Sequence, residues 1–511
     1  MKKILSLGLC GFCVFASCSA FAQTYAEEAL IFSRINPGGS ARIQAMGGAQ
    51  VALGGDYSSA FSNPAGLGFY NRTEATLSLG TYLYNATSSY LGNSTNDSKS
   101  TLNVPGLSLV LHSDKSKGKL VSGNFAISYA RTNNFNQNFT YKTAPSATAP
   151  NSLIDYFIEQ SNGATTAQFD QDGNSFYTLA RLGYNNFLFG PESEGVLNGS
   201  NSDYGSYINP RSPAQLESVQ LSGAQNQFNV AYGLNFNDQF YLGATVGFPS
   251  FNYSSNKTFT ENFFGQPINN YALSETYTIK GSGINTTIGA IIRPKDFVQF
   301  GLSIASPTYF YSVADSYTAA MNSNWNNYNY IDVTGGTSTQ LVTKSDGMDQ
   351  LIANYTLTTP WRIRAGATVF IQKHGLITAE VEKVNYSKSS LTSQTDGLDF
   401  TYDNQEIKNT YANVFNIRLG GEYRFNNFRA RAGYSFMPDP YVAVQNNTDN
   451  SITGYSGGFG YRTTKYFVDL GILQTQWNSS YRPYTISSAD TPLVTIKNSS
   501  TSVMVTFGLI L

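Results

Sequence analysis

The chain has 511 residues, with 32 Lys+Arg against 33 Asp+Glu and a formal net charge of −1, so no basic face points to a nucleic-acid partner. Charged residues make up 13% of it, about half the usual share of a soluble globular protein. Aromatic residues reach 14%, yet mean hydropathy is slightly negative, which speaks against both an ordinary cytoplasmic enzyme and a helical membrane protein.

Residues 1–22 read as a secretory signal peptide. Lys2 and Lys3 precede an apolar stretch from Ile4 to Phe15, and Ala20-Phe21-Ala22 supplies an A-x-A cleavage site. The apolar core is too short to span a bilayer as a helix. Cys10, Cys13 and Cys18 all lie in this segment, so the mature chain carries no disulfide framework. Lipoprotein processing at Cys18 is a competing reading, disfavoured by Phe15.

Residues 23–73 differ in kind from the rest of the mature chain. Gly38-Gly39, Gly47-Gly48 and Gly54-Gly55 punctuate short apolar pieces, and Asn63-Pro64-Ala65-Gly66-Leu67 closes the segment. Glycine pairs permit tight backbone turns, so a compact plug inside a lumen is expected; a periplasmic tail is the alternative.

Residues 74–511 alternate with period two. Phe228, Val230, Tyr232, Leu234 and Phe236 share one face, and the pattern resumes with Phe240, Leu242, Ala244, Val246 and Phe248. Strands are expected near 74–84, 103–112, 120–132, 226–236, 240–252, 283–293, 297–308, 360–372, 376–388, 412–425, 428–437, 454–462, 465–476 and 499–511. Short connections alternate with long ones, the longest being 133–225. An even strand number, short periplasmic turns and long outer loops describe an outer-membrane β-barrel, whereas a secreted sandwich or adhesin has no reason to sort its connections by side. The fold expected is all-β: a 14-stranded antiparallel transmembrane barrel over 74–511, with 23–73 as a luminal plug.

Gly39-Ser40-Ala41-Arg42, Met46-Gly47-Gly48-Ala49, Gly54-Gly55-Asp56 and Asn63-Pro64-Ala65-Gly66-Leu67 resemble the amino-terminal hatch of the FadL/TodX family of outer-membrane transporters. Thr359-Pro360-Trp361-Arg362, Arg431-Ala432-Gly433-Tyr434 and Gly457-Gly458-Phe459-Gly460-Tyr461 continue the resemblance along the chain, in the form of a Bacteroidetes-type branch. It implies a fourteen-strand barrel gated by a hatch, and passive uptake of long-chain fatty acids or aromatic hydrocarbons through a side opening toward the membrane. The partners expected are outer-membrane lipids and a hydrophobic small-molecule substrate. A barrel scaffold for protein secretion or surface attachment, docking a protein partner at its outer loops, is the alternative.

Two sets of residues are candidates for ligand contact. Arg362, Arg364, Arg418, Arg424, Arg429 and Arg431 point inward on strands eight to eleven, alongside Glu380, Glu382 and Glu422. A tight turn would set Arg431 opposite Glu422 and Arg424 opposite Arg429, and the second, like-charged pair calls for a counter-charge. Plug carbonyls or Glu27, Glu28 and Asp56 would supply it; otherwise an anionic head group would. In the long loop, Asn151-Ser152 caps an expected helix carrying Leu153, Ile154, Phe157 and Ile158, followed by a cluster that includes Phe176, Leu182, Phe187 and Phe189. These pack on one another or form a capture groove. Two histidines, His112 and His374, sit beside short turns and offer no catalytic arrangement; neither an enzyme activity, a metal nor a cofactor is expected.

Overall fold

The computed structural model describes residues 25–511 except 37, 145–146, 171–177, 192–203, 207, 210, 332–337, 396 and 488; residues 1–22 and Phe176 lie outside the described residues. Fourteen antiparallel strands form one closed barrel once collinear pieces are joined. They are β1 (Glu74–Tyr90), β2 (Asn93–Lys117), β3 (Leu120–Asn134), β4 (Ala214–Phe236), β5 (Phe240–Asn262) and β6 (Ile268–Lys295). Next come β7 (Val298–Ala305, continued by Tyr309–Ile331), β8 (Leu351–Thr358, continued by Arg362–Ile371), β9 (Gly375–Asn385) and β10 (Asn413–Phe425). The circuit ends with β11 (Phe428–Met437), β12 (Ile452–Arg462), β13 (Tyr466–Tyr481) and β14 (Val494–Ile510). The last strand pairs with the first from Glu74↔Ile510 to Ser89↔Thr495, which closes the sheet into a barrel.

Several segments expected as long loops are strand. The 85–102 stretch is the top of the β1–β2 hairpin, turned at Leu91-Gly92, both left-handed (φ 43 and 79), as a two-residue hairpin turn requires. Much of 253–282 and 309–359 is likewise strand, so β4, β5 and β6 run for 23, 23 and 28 residues, against the ~9–11 that cross a bilayer. The reason is a change of phase. On the lower part of β5 the outward residues Phe240, Leu242, Val246 and Phe248 are exposed and apolar. Higher up, Asn252, Asn256 and Thr258 face outward while Phe251, Tyr253 and Phe259 are buried. Lipid surrounds the lower wall and water the upper, so one strand inverts its pattern without breaking its pleat.

Residues 25–70 pack against the inner wall. They comprise α1 (Tyr25–Ser33), α2 (Ala41–Gln44), α3 (Ser59–Ser62) and a 3-10 turn, Pro64–Phe69. Ser40 caps α2 by accepting from the Ile43 N–H at 3.2 Å. Asn63 starts the 3-10 turn by accepting from the Ala65 N–H at 3.2 Å, with Pro64 in the first turn. Close approach to the wall is made possible by inward-facing strand glycines. A Cβ on Gly301 would lie 2.1 Å from the Val51 carbonyl oxygen, and one on Gly243 2.2 Å from the Pro64 carbonyl carbon. Gly233, Gly243 and Gly289 are cross-strand neighbours on β4, β5 and β6, forming a flat patch for the Pro64 turn.

Candidate functional site

The six arginines divide into two groups. Arg362, Arg364 and Arg418 are buried on β8 and β10 beside Glu380 and Glu382 of β9. Arg362 and Arg364 reach Glu382 at 3.1 and 2.5 Å, and Arg418 reaches Glu380 at 2.7 Å and Glu382 at 3.2 Å. The N-terminal segment joins this network: Arg362 donates to the Ser33 carbonyl and Arg364 to that of Ser62, while Glu380 accepts the Gln50 and Val51 N–H groups at 2.8 Å each. These charges tie the plug to the wall, since each oxygen of Glu380 already has a partner.

The second group lies near the short-turn end. Glu422 stands opposite Arg431, and Arg424 opposite Arg429. Arg431 pairs with Glu422 at 2.8 Å and with Asp469 of β13 at 2.5 Å. The latter contact crosses β12 over Gly460, where a Cβ would sit 2.1 Å from Asp469 Oδ1. Counter-charge thus comes chiefly from the barrel's own Glu422 and Asp469, not from Glu27 or Glu28. Asp469 escaped the sequence reading because it sits two strands away; Gly460 was the available signal.

Glu28 is used elsewhere. Buried on α1, it accepts from the Tyr277 and Tyr355 hydroxyls, and burial pushes its carboxyl up to about 8, with Asp315 and Glu27 adding to the rise. It borders a cavity of ≈ 190 Å³ with Tyr25, Tyr277, Tyr317, Leu351 and Ala353, which also holds Glu275, Asp315 and Lys257. Lys257 and Glu275 are cross-strand partners, Tyr317 donates to Glu275 at 2.6 Å, and Asp315 accepts the Ala353 N–H at 3.0 Å. The lining is therefore aromatic, with carboxylates in excess of cations. The sequence reading missed this site because it ended β5 and β6 where their outward faces turn polar.

The wall is unzipped beside the plug. The β2–β3 ladder ends at Gly106↔Ala130. Above it β2 forms a ladder with β1 alone, and Gln137–Lys142, which continues β3, with β4 alone. Side chains of β2 cross there: Asp97 accepts the Thr140 N–H at 2.7 Å, Lys99 donates to the Leu221 carbonyl at 2.7 Å and Asn93 to the Lys142 carbonyl at 3.2 Å. Pro105 lacks an N–H and lies in an irregularity of register between Ser78 and Gly80. From within, the Asn36 N–H donates to the Thr132 carbonyl at 3.0 Å and Asn133 donates to the Arg34 carbonyl at 3.2 Å. A void of ≈ 340 Å³ joins the gap to the lumen, between Asn103, Pro105 and Arg131 on one side and Gly38, Trp477 and Met504 on the other. Leu102, 85% exposed, flanks it outside.

The long-loop cluster packs on itself. Ser152 caps the helix Leu153–Gln160 through a capping box with Asp155. Leu153, Phe157, Leu182 and Phe189 are all buried, in one cluster with Phe259, Tyr271 and Trp325 of the upper wall, and Phe187 packs against it. No open groove is formed by these five.

No protein-family model matches the chain, and no curated protein matches it in sequence. Solved structures do match. A Pseudomonas aeruginosa FadL homologue is similar at 11% identity and a TM-score of 0.56, over 93% of this chain and 99% of that one. The Pseudomonas putida toluene transporter TodX matches at 12% and 0.53, and the Ralstonia pickettii toluene transporter TbuX at 13% and 0.50, each with the same coverage of both chains. The glycine-lined, plugged barrel of this chain has the FadL/TodX-type fold.

Proposed function

We propose that this protein is an outer-membrane channel through which an uncharged hydrophobic or weakly amphipathic small molecule diffuses passively, with residues 23–73 acting as its hatch. The observation that carries the reading is the gap between β2 and β3, beside the hatch and flanked on the outside by the exposed Leu102. A solute that has left water leaves the lumen sideways, into hydrocarbon, without crossing a polar exit.

The choice of an uncharged ligand over a fatty-acid carboxylate rests on the aromatic cavity. Glu28, its carboxyl raised to about 8, faces the cavity largely protonated. Glu275 and Asp315 outnumber the single cation Lys257, whose Nζ lies over the Tyr481 ring, so an anion is disfavoured there. Its volume is comparable to the ~150 Å³ apolar void that takes benzene. The toluene transporters among the fold neighbours accord with such a ligand.

Uptake of radiolabelled toluene and of oleate by cells expressing the protein, compared with a deletion strain, tests this. Toluene entry above the deletion background, lost in Ala353→Trp, is the expected result. Oleate entry without toluene entry would overturn the ligand class. Loss of exported surface proteins in the deletion strain, with both uptakes unchanged, would overturn the channel itself and favour a secretion scaffold.

A further inference from the structure

At the short-turn end, five guanidinium groups and two carboxylates surround a void of ≈ 150 Å³: Arg42, Arg424, Arg429, Arg431 and Arg462 with Glu422 and Asp469. Glu422 is shared by Arg424 and Arg431 at 2.8 Å each and by Arg42 at 3.5 Å. Asp469 takes Arg431. Outside the void, Asp56 lies 4.0 Å from Arg42 and Glu74 lies 3.4 Å from Arg462. Four carboxylates therefore face five guanidinium groups, and the excess falls on Arg429. Its Nη1 donates only to the carbonyls of Asn426 and Phe428 in its own turn, at 2.7 and 2.8 Å. A second polar group is left over as well: Arg462 Nε is buried with no hydrogen-bond partner.

We propose that this void is an oxyanion site, which takes a phosphate group between Arg429, Arg424 and Arg462. The cross-strand pair Arg424–Arg429 is like-charged, and Glu422, which Arg424 shares with Arg431 and Arg42, offsets it only in part; guanidinium groups bind phosphate through paired N–H donors. The volume is several times the ~30 Å³ share of one water. Access is from the short-turn end, where the side chains of Arg424 and Arg462 are 29% and 38% exposed. The phosphate can come from a free phosphate or from a phospholipid of the facing leaflet, because the donor set reads the group common to both.

The site also adjoins the plug. Arg42 donates to the carbonyls of Gly55 and Gly54 at 3.2 and 3.4 Å while it shares Glu422 with the void. A bound oxyanion draws Arg424 and Arg431 toward itself and leaves more of Glu422 to Arg42, so occupancy tightens the hold on the plug.

The test uses the full-length protein in two arms: calorimetric titration with inorganic phosphate in a zwitterionic detergent, and native mass spectrometry after exposure to phosphatidylglycerol or phosphatidylcholine. Saturable phosphate binding identifies the free source; selective retention of phosphatidylglycerol, displaced by phosphate, identifies the lipid. Either supports the site when Arg429→Gln weakens it at least tenfold and Arg293→Gln, at the end of β6 beside another short turn, leaves it unchanged. The side chain of Arg429 hydrogen-bonds only within its own turn, so heat-modifiable migration of Arg429→Gln on gels should match the parent and certify the fold. Absence of binding in both arms, or equal binding by parent and Arg429→Gln, overturns the proposal. The readout is binding, so such a failure leaves the channel reading untouched.

Discussion

Glu380 and Val51 are joined by a hydrogen bond of 2.8 Å from the Val51 N–H to Glu380 Oε2, while Oε1 of the same carboxylate takes Arg418 at 2.7 Å. One buried side chain thus secures backbone of the plug and an arginine of the wall. Removing it should leave Arg418 short of a counter-charge and two buried N–H groups unpaired, each change being costly.

Glu380→Ala is therefore expected to loosen the plug by about 3–5 kcal/mol, the usual cost of breaking a buried pair. Hydrogen exchange at Gln50 and Val51 reads this directly, together with a rise in ion leak across planar bilayers. Protection equal to that of the parent would refute the anchoring role.

Steric fit can be tested independently of charge. Gly301→Val should destabilise plug docking by about 1–3 kcal/mol through overpacking, because even a Cβ would meet the Val51 carbonyl oxygen at 2.1 Å. Gly347→Ala provides the control, since its Cβ would meet nothing closer than 3.9 Å. Denaturant midpoints and plug proteolysis distinguish them, and a similar small effect of both would count against close packing.

Docking of α1 should depend on pH with a definite sign. Burial raises the Glu28 carboxyl from 4.5 to about 8, so the docked state binds the proton more tightly than the undocked one. Its contribution is complete below the undocked value and is lost as pH rises through about 8. Beyond the intrinsic rise, exchange of the α1 amides should accelerate between about pH 4.5 and 8 and level off above that, and Glu28→Gln should flatten that dependence. A parent profile explained by intrinsic exchange chemistry alone would contradict it.

In the outer loop, Phe157→Ala should cost about 3–5 kcal/mol locally, because Phe157 is fully buried against the loop cluster. The expected sign is faster proteolytic nicking within 143–213 while the heat-modifiable barrel persists. Unchanged nicking would mean that the cluster does not hold the loop.

The strand count was legible because lipid imposes a simple rule on the outward face of each lower strand, as with Phe240, Leu242 and Val246. The upper walls were not, because Asn252, Asn256 and Thr258 meet water and the apolar residues move to the inner face, which reads as irregular polarity. The Arg431–Glu422 neighbourhood could be laid out from a two-residue turn and the pleat. The Arg431–Asp469 bond could not, because it skips β12 and needs the missing side chain of Gly460. The same holds for Gly301 and Val51, whose contact joins segments 250 residues apart in sequence and leaves only a small inward residue as its trace. The aromatic cavity was invisible for a different reason: Lys257, Glu275 and Asp315 belong to stretches read as loops, where facing cannot be assigned.

The height of the upper wall has a consequence for where solutes are gathered. The dozen residues of β5 from Phe251 to Asn262, at ~3.3 Å each and a tilt near ~40°, lift the rim about 30 Å beyond the lipid belt. The channel proposed above would then take in a greasy molecule at a chimney top rather than at the membrane plane, clear of the polar brush that is the usual obstacle to such compounds.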